Sequence, residues 1–444
     1  MKWQGCRAFA TINRKPAQIS SNDEIHRKFA AEKLSRTGFW SKIDLLKTSL
    51  NGSIITPHDS KDYMDARTRP FNDDVRGKYH LVSTTLFNPS NVIPACVSGF
   101  PLVIVKAKNT SDVVETVNFV RNHGDGITFC VAAGGHSTRC MVSDSFVLDL
   151  ALIRDVHVDN VELKVSVGGG AYLQDVDDAL TPMGLGVTLG TYPWVGVGGL
   201  ILSGGFGWLG RGYGFSVDHL LEVEIVLADG TIVVANDNNE HASLIWACRG
   251  GGGNFGVVTR FTLKTHRLPP HCFGGFKVFL APTAASALKI ARNYDALLAS
   301  LPLSTSGGIM FPGGAPVVPT AWCHFDDSPD ALKTAPVLAR ASKLGGWLTV
   351  EDSVKRCSYH QDVQKMTVKH TVIGPNCSTL LPVGAFDQPL PEAFFPEVIA
   401  HARRRLPRTL RSAFVMVYAM GGALLSADSD GSRTCMDAAV RRAR

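Results

Sequence analysis

Apolar and polar positions begin to fall into separate short runs at Leu102. Leu102-Val-Ile-Val-Lys-Ala is a compact apolar stretch rich in β-branched residues, the pattern of a buried strand. Thr110 or Ser111 then offers an N-cap, Val113, Val114, Val117 and Val120 recur at helical spacing, and Gly124 supplies the stop. A second strand is predicted over 127–132, and a strand–helix–strand start predicts a parallel pair joined by a right-handed crossover. Short strands follow at 146–150, 163–167 and 186–189, with a helix over 173–184. Strands at 222–228 and 231–235 flank Asp229-Gly230, which predicts a type I′ hairpin. A helix over 240–249 and a strand over 255–264 complete this block.

Pro269-Pro270 breaks the pattern, and a second block resumes with strands at 275–281, 306–311 and 321–325 and helices over 284–300 and 329–343. Residues 1–48 are polar and mixed, with a helix predicted over 23–34. The alternation of strands and helices predicts an α+β fold without internal repeats. Residues 192–210 carry no charge and approach a membrane span in length, but their glycines make a poor helix. They read as buried turns and short strands, so no membrane span is expected.

Composition changes little. The chain has 444 residues, 45% hydrophobic and 19% charged, with a formal net charge of +6. Its dense basic clusters, Arg403-Arg404-Arg405 and the closing Arg441-Arg442-Ala-Arg444, read as solvated surface, so no nucleic-acid partner is expected. The ten cysteines include no C-x-x-C pair and no His/Cys set with zinc spacing, which suits thiols in a reducing compartment and predicts no metal. The N-terminus lacks the apolar core of a secretory signal. Residues 1–22 contain Lys2, Arg7, Arg14 and Lys15 and no acidic side chain. They read as a disordered leader on a cytoplasmic protein, with a mitochondrial transit peptide as the alternative.

Three glycine-rich segments carry the candidate chemistry. The first is Val131-Ala-Ala-Gly-Gly-His136-Ser137, where two glycines let a turn approach a ligand closely and deliver one histidine at its tip. Taken alone it is an ordinary polar turn, although backbone N–H groups in such a turn make an anion-binding concavity. The second runs from Tyr192-Pro-Trp-Val-Gly-Val-Gly-Gly199 to Gly204-Gly205-Phe-Gly207. The third is Arg249-Gly-Gly-Gly-Gly253-Asn254-Phe-Gly256. It formally fits G-x-G-x-x-G, but it follows a predicted helix and opens a strand, the reverse of a nicotinamide-binding turn.

In this order and spacing the segments resemble the PCMH-type FAD-binding domain of the vanillyl-alcohol oxidase superfamily, in its berberine-bridge-enzyme-like branch. The resemblance covers residues 49–425. It implies an FAD-binding domain of two α/β subdomains over 49–270 and a substrate domain over 271–425, whose antiparallel sheet is covered by helices. The partly helical leader 1–48 and an atypical tail 426–444 lie outside it. Family members continue through a closing element that this tail does not match.

The resemblance also assigns roles. Gly134, Gly135, His136 and Ser137 match the loop that cradles the FAD pyrophosphate, with His136 at the position joined covalently to the flavin. Gly198, Gly199, Gly204, Gly205, Gly253 and Asn254 are the further cofactor contacts. Bicovalent members read Gly-Thr-Cys-Pro where this chain has Gly190-Thr191-Tyr192-Pro193, so a single link through His136 is expected. Tyr192 then packs beside the ring edge, within reach of substrate. Val195 matches a position where a small side chain admits oxygen, which favours an oxidase. Asp218 reads as a structural hydrogen-bonding residue. Tyr359, with Gln364, resembles a substrate-domain Tyr…Gln motif, and Tyr359 is the candidate for substrate contact or base; His360 and His370 are also available. The implied reaction takes a hydride from a C–H beside oxygen or nitrogen of a small molecule and reduces O2 to hydrogen peroxide. A flavin dehydrogenase with another acceptor and a non-catalytic flavoprotein are the alternatives.

Overall fold

The structure, a computed structural model, describes residues 38–68, 100–137, 139–298, 300–325, 340–341, 343–344, 349–364, 366, 392–403 and 414–418. The expected helix at 23–34, most of that at 329–343, His370 and the tail at 426–444 lie outside them. The chain divides into two units after Thr48. In the first, helix α1 (Phe39–Ser49) buries Phe39, Ile43 and Leu46 at a helical repeat. The second unit, Ser49–Arg444, holds the sheets.

Its first sheet contains β1 (Ser53–Ile55), β2 (Val103–Lys106), β3 (Thr128–Ala132) and β4 (Ser145–Asp149), in the order β1-β2-β4-β3. Helix α2 (Ser60–Thr68) follows β1, and α3 (Thr110–His123) connects β2 to β3. The strand–helix–strand start does not give a neighbouring pair. β2 and β3 each run parallel to β4, which lies between them. All five residues of β4 are buried, and a strand buried along its whole length needs neighbours on both sides. Asn109, rather than Thr110 or Ser111, caps α3: it is extended and its side chain accepts from the Asp112 N–H at 3.0 Å. Gly124 closes the helix as expected, donating its N–H to Val120 O.

The second sheet is antiparallel. It contains β5 (Val156–Asp159), β6 (Lys164–Gly168), β8 (Leu220–Val226), β9 (Ile232–Asn236) and β10 (Val257–Lys264), in the order β5-β6-β10-β8-β9. Helices α4 (Leu173–Leu180) and α5 (Val197–Leu202) pack their apolar residues into the same core as this sheet. The β8–β9 turn is not type I′, because that geometry needs positive φ at both central residues and only Gly230 has it. The loop is one residue longer, closed by Gly230 N–H to Leu227 O and Leu227 N–H to Thr231 O. The uncharged stretch at 192–210 makes turns and the short helix α5 rather than strands, and helix α6 (Gly210–Tyr213) starts at its end. A small ladder pairs β7 (Leu185–Gly186) with β11 (His266–Arg267), and α7 (Ala242–Cys248) precedes the third glycine segment.

The third sheet runs β15-β12-β14-β13-β17, with β16 paired to β12, and every pairing is antiparallel. Its strands are β12 (Cys272–Leu280), β13 (Thr305–Pro312), β14 (Val317–His324), β15 (Thr349–Asp352), β16 (Lys355–Cys357) and β17 (Phe414–Tyr418). Side chains alternate between two cores with period two. Phe273, Phe279, Ile309, Phe311, Val318 and Trp322 face helices α8 (Ala284–Leu298) and α9 (Phe394–Arg403). Cys272, Phe276, Met310, Ala321 and Cys323 face the opposite way, onto Trp208, Leu209 and Tyr359. This is the antiparallel sheet covered by helices that the resemblance implied. β14 begins earlier than expected because Pro319 does not end it: Pro319 pairs with Val278 of β12, beyond the last β13 partner at Thr320.

Polar contacts bind the segment 208–211 to the third sheet and to the turn before β13. Arg211 donates through Nε to Thr305 O at 2.9 Å and through Nη2 to Leu301 O at 3.0 Å. Ser306 Oγ donates to Trp208 O at 2.6 Å. Among the described residues no helix is long and apolar enough to cross a membrane.

Candidate active site

The site begins where β3 runs into Ala133-Gly134-Gly135-His136. Gly134 lies back to back with Gly196, so that a Cβ on either glycine would run into the backbone of the other. Only two glycines permit that approach. Gly135 follows at φ 72°, turning the chain outward to present His136. The opposing turn is closed by Val195 N–H to Tyr192 O. It is held from behind by Leu173 N–H to Val195 O, Gln174 N–H to Pro193 O and Val197 N–H to Ala171 O, each 2.8–2.9 Å.

His136 donates from Nε2 to Trp194 O at 3.2 Å, which bridges the two loops. Its side chain is exposed, although protein surrounds much of it. Loss of hydration draws its pKa below the ordinary value, and the Trp194 hydrogen bond offsets only part of this. Ser137 is exposed, and its Oγ accepts from the Arg139 N–H. Tyr192 and Val195 are half-buried, with the Tyr192 ring 6.4 Å from that of Trp194. Val195 packs against the second core from a turn, not from a strand.

The remaining glycines fall into two kinds. Gly198 and Gly205 are taken up by protein: a Cβ on Gly198 would press on Gly169 O, and one on Gly205 on Ser216. Gly204 and Gly205 offer their carbonyls to Val217 N–H and Ser216 N–H. Gly199 and Gly253 face open space and are exposed. Asn254 donates to Gly251 O at 2.8 Å, and Gly252 N–H reaches Leu202 O, which seats the third segment on the end of α5. The structure thus brings Gly134–Ser137, Tyr192–Gly199 and Gly251–Asn254 around α5 and its preceding turn. Gly204 and Gly205 sit beyond the helix, against the turn at Ser216–His219.

Tyr359 lies on the third sheet's side of the molecule, in a π-helical turn (Tyr359–Val363). It is 4% exposed, with its ring 5.4 Å from Phe325, and its hydroxyl has no hydrogen-bond partner among the described residues. Burial, reinforced by the nearby Asp177 carboxylate, pushes its pKa well above the usual phenol value. That environment favours the neutral phenol, a hydrogen-bond donor, over a phenolate base.

Asp177 went unrecognised in the sequence. It is 6% exposed, and two side chains of the Tyr359 turn converge on it: His360 Nδ1 lies 3.2 Å from Oδ1, and Gln364 Nε2 donates to Oδ2 at 3.1 Å. His360 Nε2 donates to Leu185 O at 2.7 Å, and Gln364 Nε2 lies 3.5 Å from Gly190 O, two residues before Tyr192. A signal for Asp177 was present, since it falls on the same helical stripe as the buried Leu173, Val176 and Leu180. Gly168-Gly169-Gly170 was also missed. Each of these packs without a side chain against neighbouring backbone, and three successive glycines mark them in the sequence. Among the described residues no group of three or more His, Cys, Asp or Glu is placed to hold a metal ion.

Residues 101–236 match the FAD binding domain family model. The FAD-linked oxidoreductase pgmH of Aspergillus terreus is 31% identical over 231 residues, covering 51% of this chain and 42% of pgmH. The (R)-6-hydroxynicotine oxidase of Paenarthrobacter nicotinovorans is 32% identical over 199 residues, 44% of this chain and 43% of that protein. The matches therefore span less than half the length of these curated relatives. The solved structure of Physcomitrella patens BBE-like 1 shares the fold, with a TM-score of 0.68 at 18% identity over 88% of this chain and 80% of that one. The matched region holds the first two glycine segments and α5. The chain is thus similar to FAD-linked oxidoreductases over about half its length.

The residues present fit FAD. The exposed faces of Gly199 and Gly253 leave space that a Cβ would fill, and the Gly-Gly turn presents an exposed His136.

Proposed function

We propose that this chain is an FAD-dependent oxidase of the berberine-bridge-like branch, acting on a small molecule with a C–H beside oxygen or nitrogen. Bound FAD would supply a two-electron acceptor for the hydride. The loop Gly134–Ser137 would hold the pyrophosphate, with Gly199, Gly253 and Asn254 as the further cofactor contacts, while Gly198, Gly204 and Gly205 would shape the backbone behind them. The observation that carries this reading is the Gly134–Gly196 backbone contact with His136 at its mouth. His136 would make the single covalent link. Its lowered pKa keeps an imidazole uncharged at neutral pH, and a carbon–nitrogen bond needs that form's lone pair.

Tyr359 and Tyr192 would contact substrate from opposite sides. The neutral Tyr359 phenol would donate a hydrogen bond, while Gln364 Oε1, also buried and without a partner among the described residues, would accept one. Val195, small and half-buried, would leave oxygen a path to the reduced cofactor. A relative that is itself named an oxidase supports the choice of acceptor.

Photoreduced holoprotein mixed with air distinguishes the readings. Rapid recovery of the oxidised flavin spectrum, with stoichiometric hydrogen peroxide, is the expected result. Slow recovery alongside fast reduction of an artificial dye would make the chain a dehydrogenase. Failure of all alcohols, sugars and amines to bleach the flavin would favour a non-catalytic flavoprotein.

A further inference from the structure

We propose that Cys272 and Cys357 form a thiol–disulfide site in the third sheet, beside the turn that carries Tyr359. The two cysteines are cross-strand partners in the antiparallel β12–β16 pair, and their sulfurs lie 3.9 Å apart. Opposed residues in such a pair have Cα atoms about 4.5–5.5 Å apart, inside the window of about 4.4–6.8 Å that a disulfide spans. Closing the gap therefore needs rotation of two side chains and little backbone movement. Cys323, on the neighbouring β14, lies in the same buried cluster and is the competing partner.

The location gives such a bond a consequence. β16 has three residues and, among the described residues, pairs with β12 alone, and its first two, Lys355 and Arg356, are exposed. A short edge strand of this kind is weakly held. Ser358 and the Tyr359 turn follow Cys357 directly, so a cross-link to β12 would fix the entry to that turn. It would also join residues 85 positions apart, and tying a long loop stabilises the fold by restricting the unfolded chain.

A two-electron oxidant such as hydrogen peroxide supplies the chemistry. One sulfur attacks the O–O bond, giving a sulfenic acid and water. The second sulfur displaces the sulfenic oxygen, which leaves as water when the S–S bond forms. Two thiols and one peroxide thus become one disulfide and two waters, with two electrons passing from sulfur to oxygen. Contact with Cys323 and burial push the Cys272 thiol to weaker acidity despite an opposing effect of Cys357, and contact with Cys272 and burial do the same to Cys357, so little thiolate exists in the closed sheet. Oxidation then proceeds on opening of β16, and mild denaturant accelerates it.

The test treats the purified full chain with hydrogen peroxide, blocks remaining thiols in denaturant and maps cross-linked peptides by mass spectrometry. The expected product is a Cys272–Cys357 peptide, a loss of two hydrogen masses and a Tm raised by several degrees, all reversed by dithiothreitol. Cys357→Ser should lose the cross-link and the Tm gain, whereas Cys323→Ser should keep both. Recovery of Cys272 and Cys357 as alkylated thiols or oxygen adducts would overturn the proposal. So would a Cys272–Cys323 peptide, or loss of the cross-link in Cys323→Ser.

Discussion

The two sides of the candidate site are built from different materials. Around His136 the geometry is made by backbone: Gly134 against Gly196, Gly198 against Gly169, and carbonyls and N–H groups holding the Tyr192–Val195 turn. Around Tyr359 it is made by buried side chains, with Asp177 receiving His360 and Gln364 from 183 and 187 residues away. A site built from backbone announces itself through residues that nothing else can replace. A site built from side chains depends on chain crossings that no local pattern records.

Removing the Asp177 carboxylate tests the second side most severely. Asp177→Ala leaves two buried polar side chains without their acceptor, a loss of about 3–5 kcal/mol by analogy with broken buried pairs. Urea unfolding of the variant measures it. A loss below about 1 kcal/mol, the scale of an exposed pair, would show that Asp177 does not anchor the Tyr359 turn.

The first side should respond to a single methyl. Gly134→Ala forces backbone apart and is expected to cost about 1–3 kcal/mol, as overpacking does, and to lower the flavin-to-protein absorbance ratio of the purified protein. Gly199→Ala is the control for stability. It adds a methyl in open space within α5, where alanine gains up to about 1 kcal/mol over glycine. Equal stability of the two variants would remove the backbone contact from the account.

A smaller effect separates a third locus from both sides. His219 donates from Nδ1 to Phe215 O at 2.7 Å, so its Nε2 accepts from His266 Nε2–H at 2.9 Å, and both rings are neutral. Burial, with His219 and Lys264 nearby, lowers the pKa of His266 from 6.5 to about 4. The unfolded chain takes up this proton as pH falls through 6.5, and the folded chain does so only near 4. Stability is therefore complete above that window and declines as pH falls across it. The Tm of the parent should drop more steeply between these values than that of His266→Gln. Parallel Tm profiles would assign the acid sensitivity elsewhere.

This contrast also explains what was readable in advance. Most strand and helix positions from Val103 to Lys264 follow from apolar runs and from Gly124, though β5, α5 and α6 were not among those expected; the glycine segments suggested FAD, and the first two lie in the region that matches the FAD binding domain family model. Strand order was not local information: β4 enters between β2 and β3 because of its complete burial. Turn type at Asp229-Gly230 escaped because one positive φ, not two, satisfies a longer loop. Asp177 was legible as a carboxylate on an apolar helical stripe, but its partners were not, since nothing near His360 or Gln364 points back to that helix.

The most direct measurement is flavin fluorescence of the acid-denatured protein on a gel, for the parent and His136→Ala. The account predicts a fluorescent band in the parent that is absent from the variant. Parent flavin that washes out on denaturation, or a variant band as bright as the parent's, would contradict the covalent role of His136.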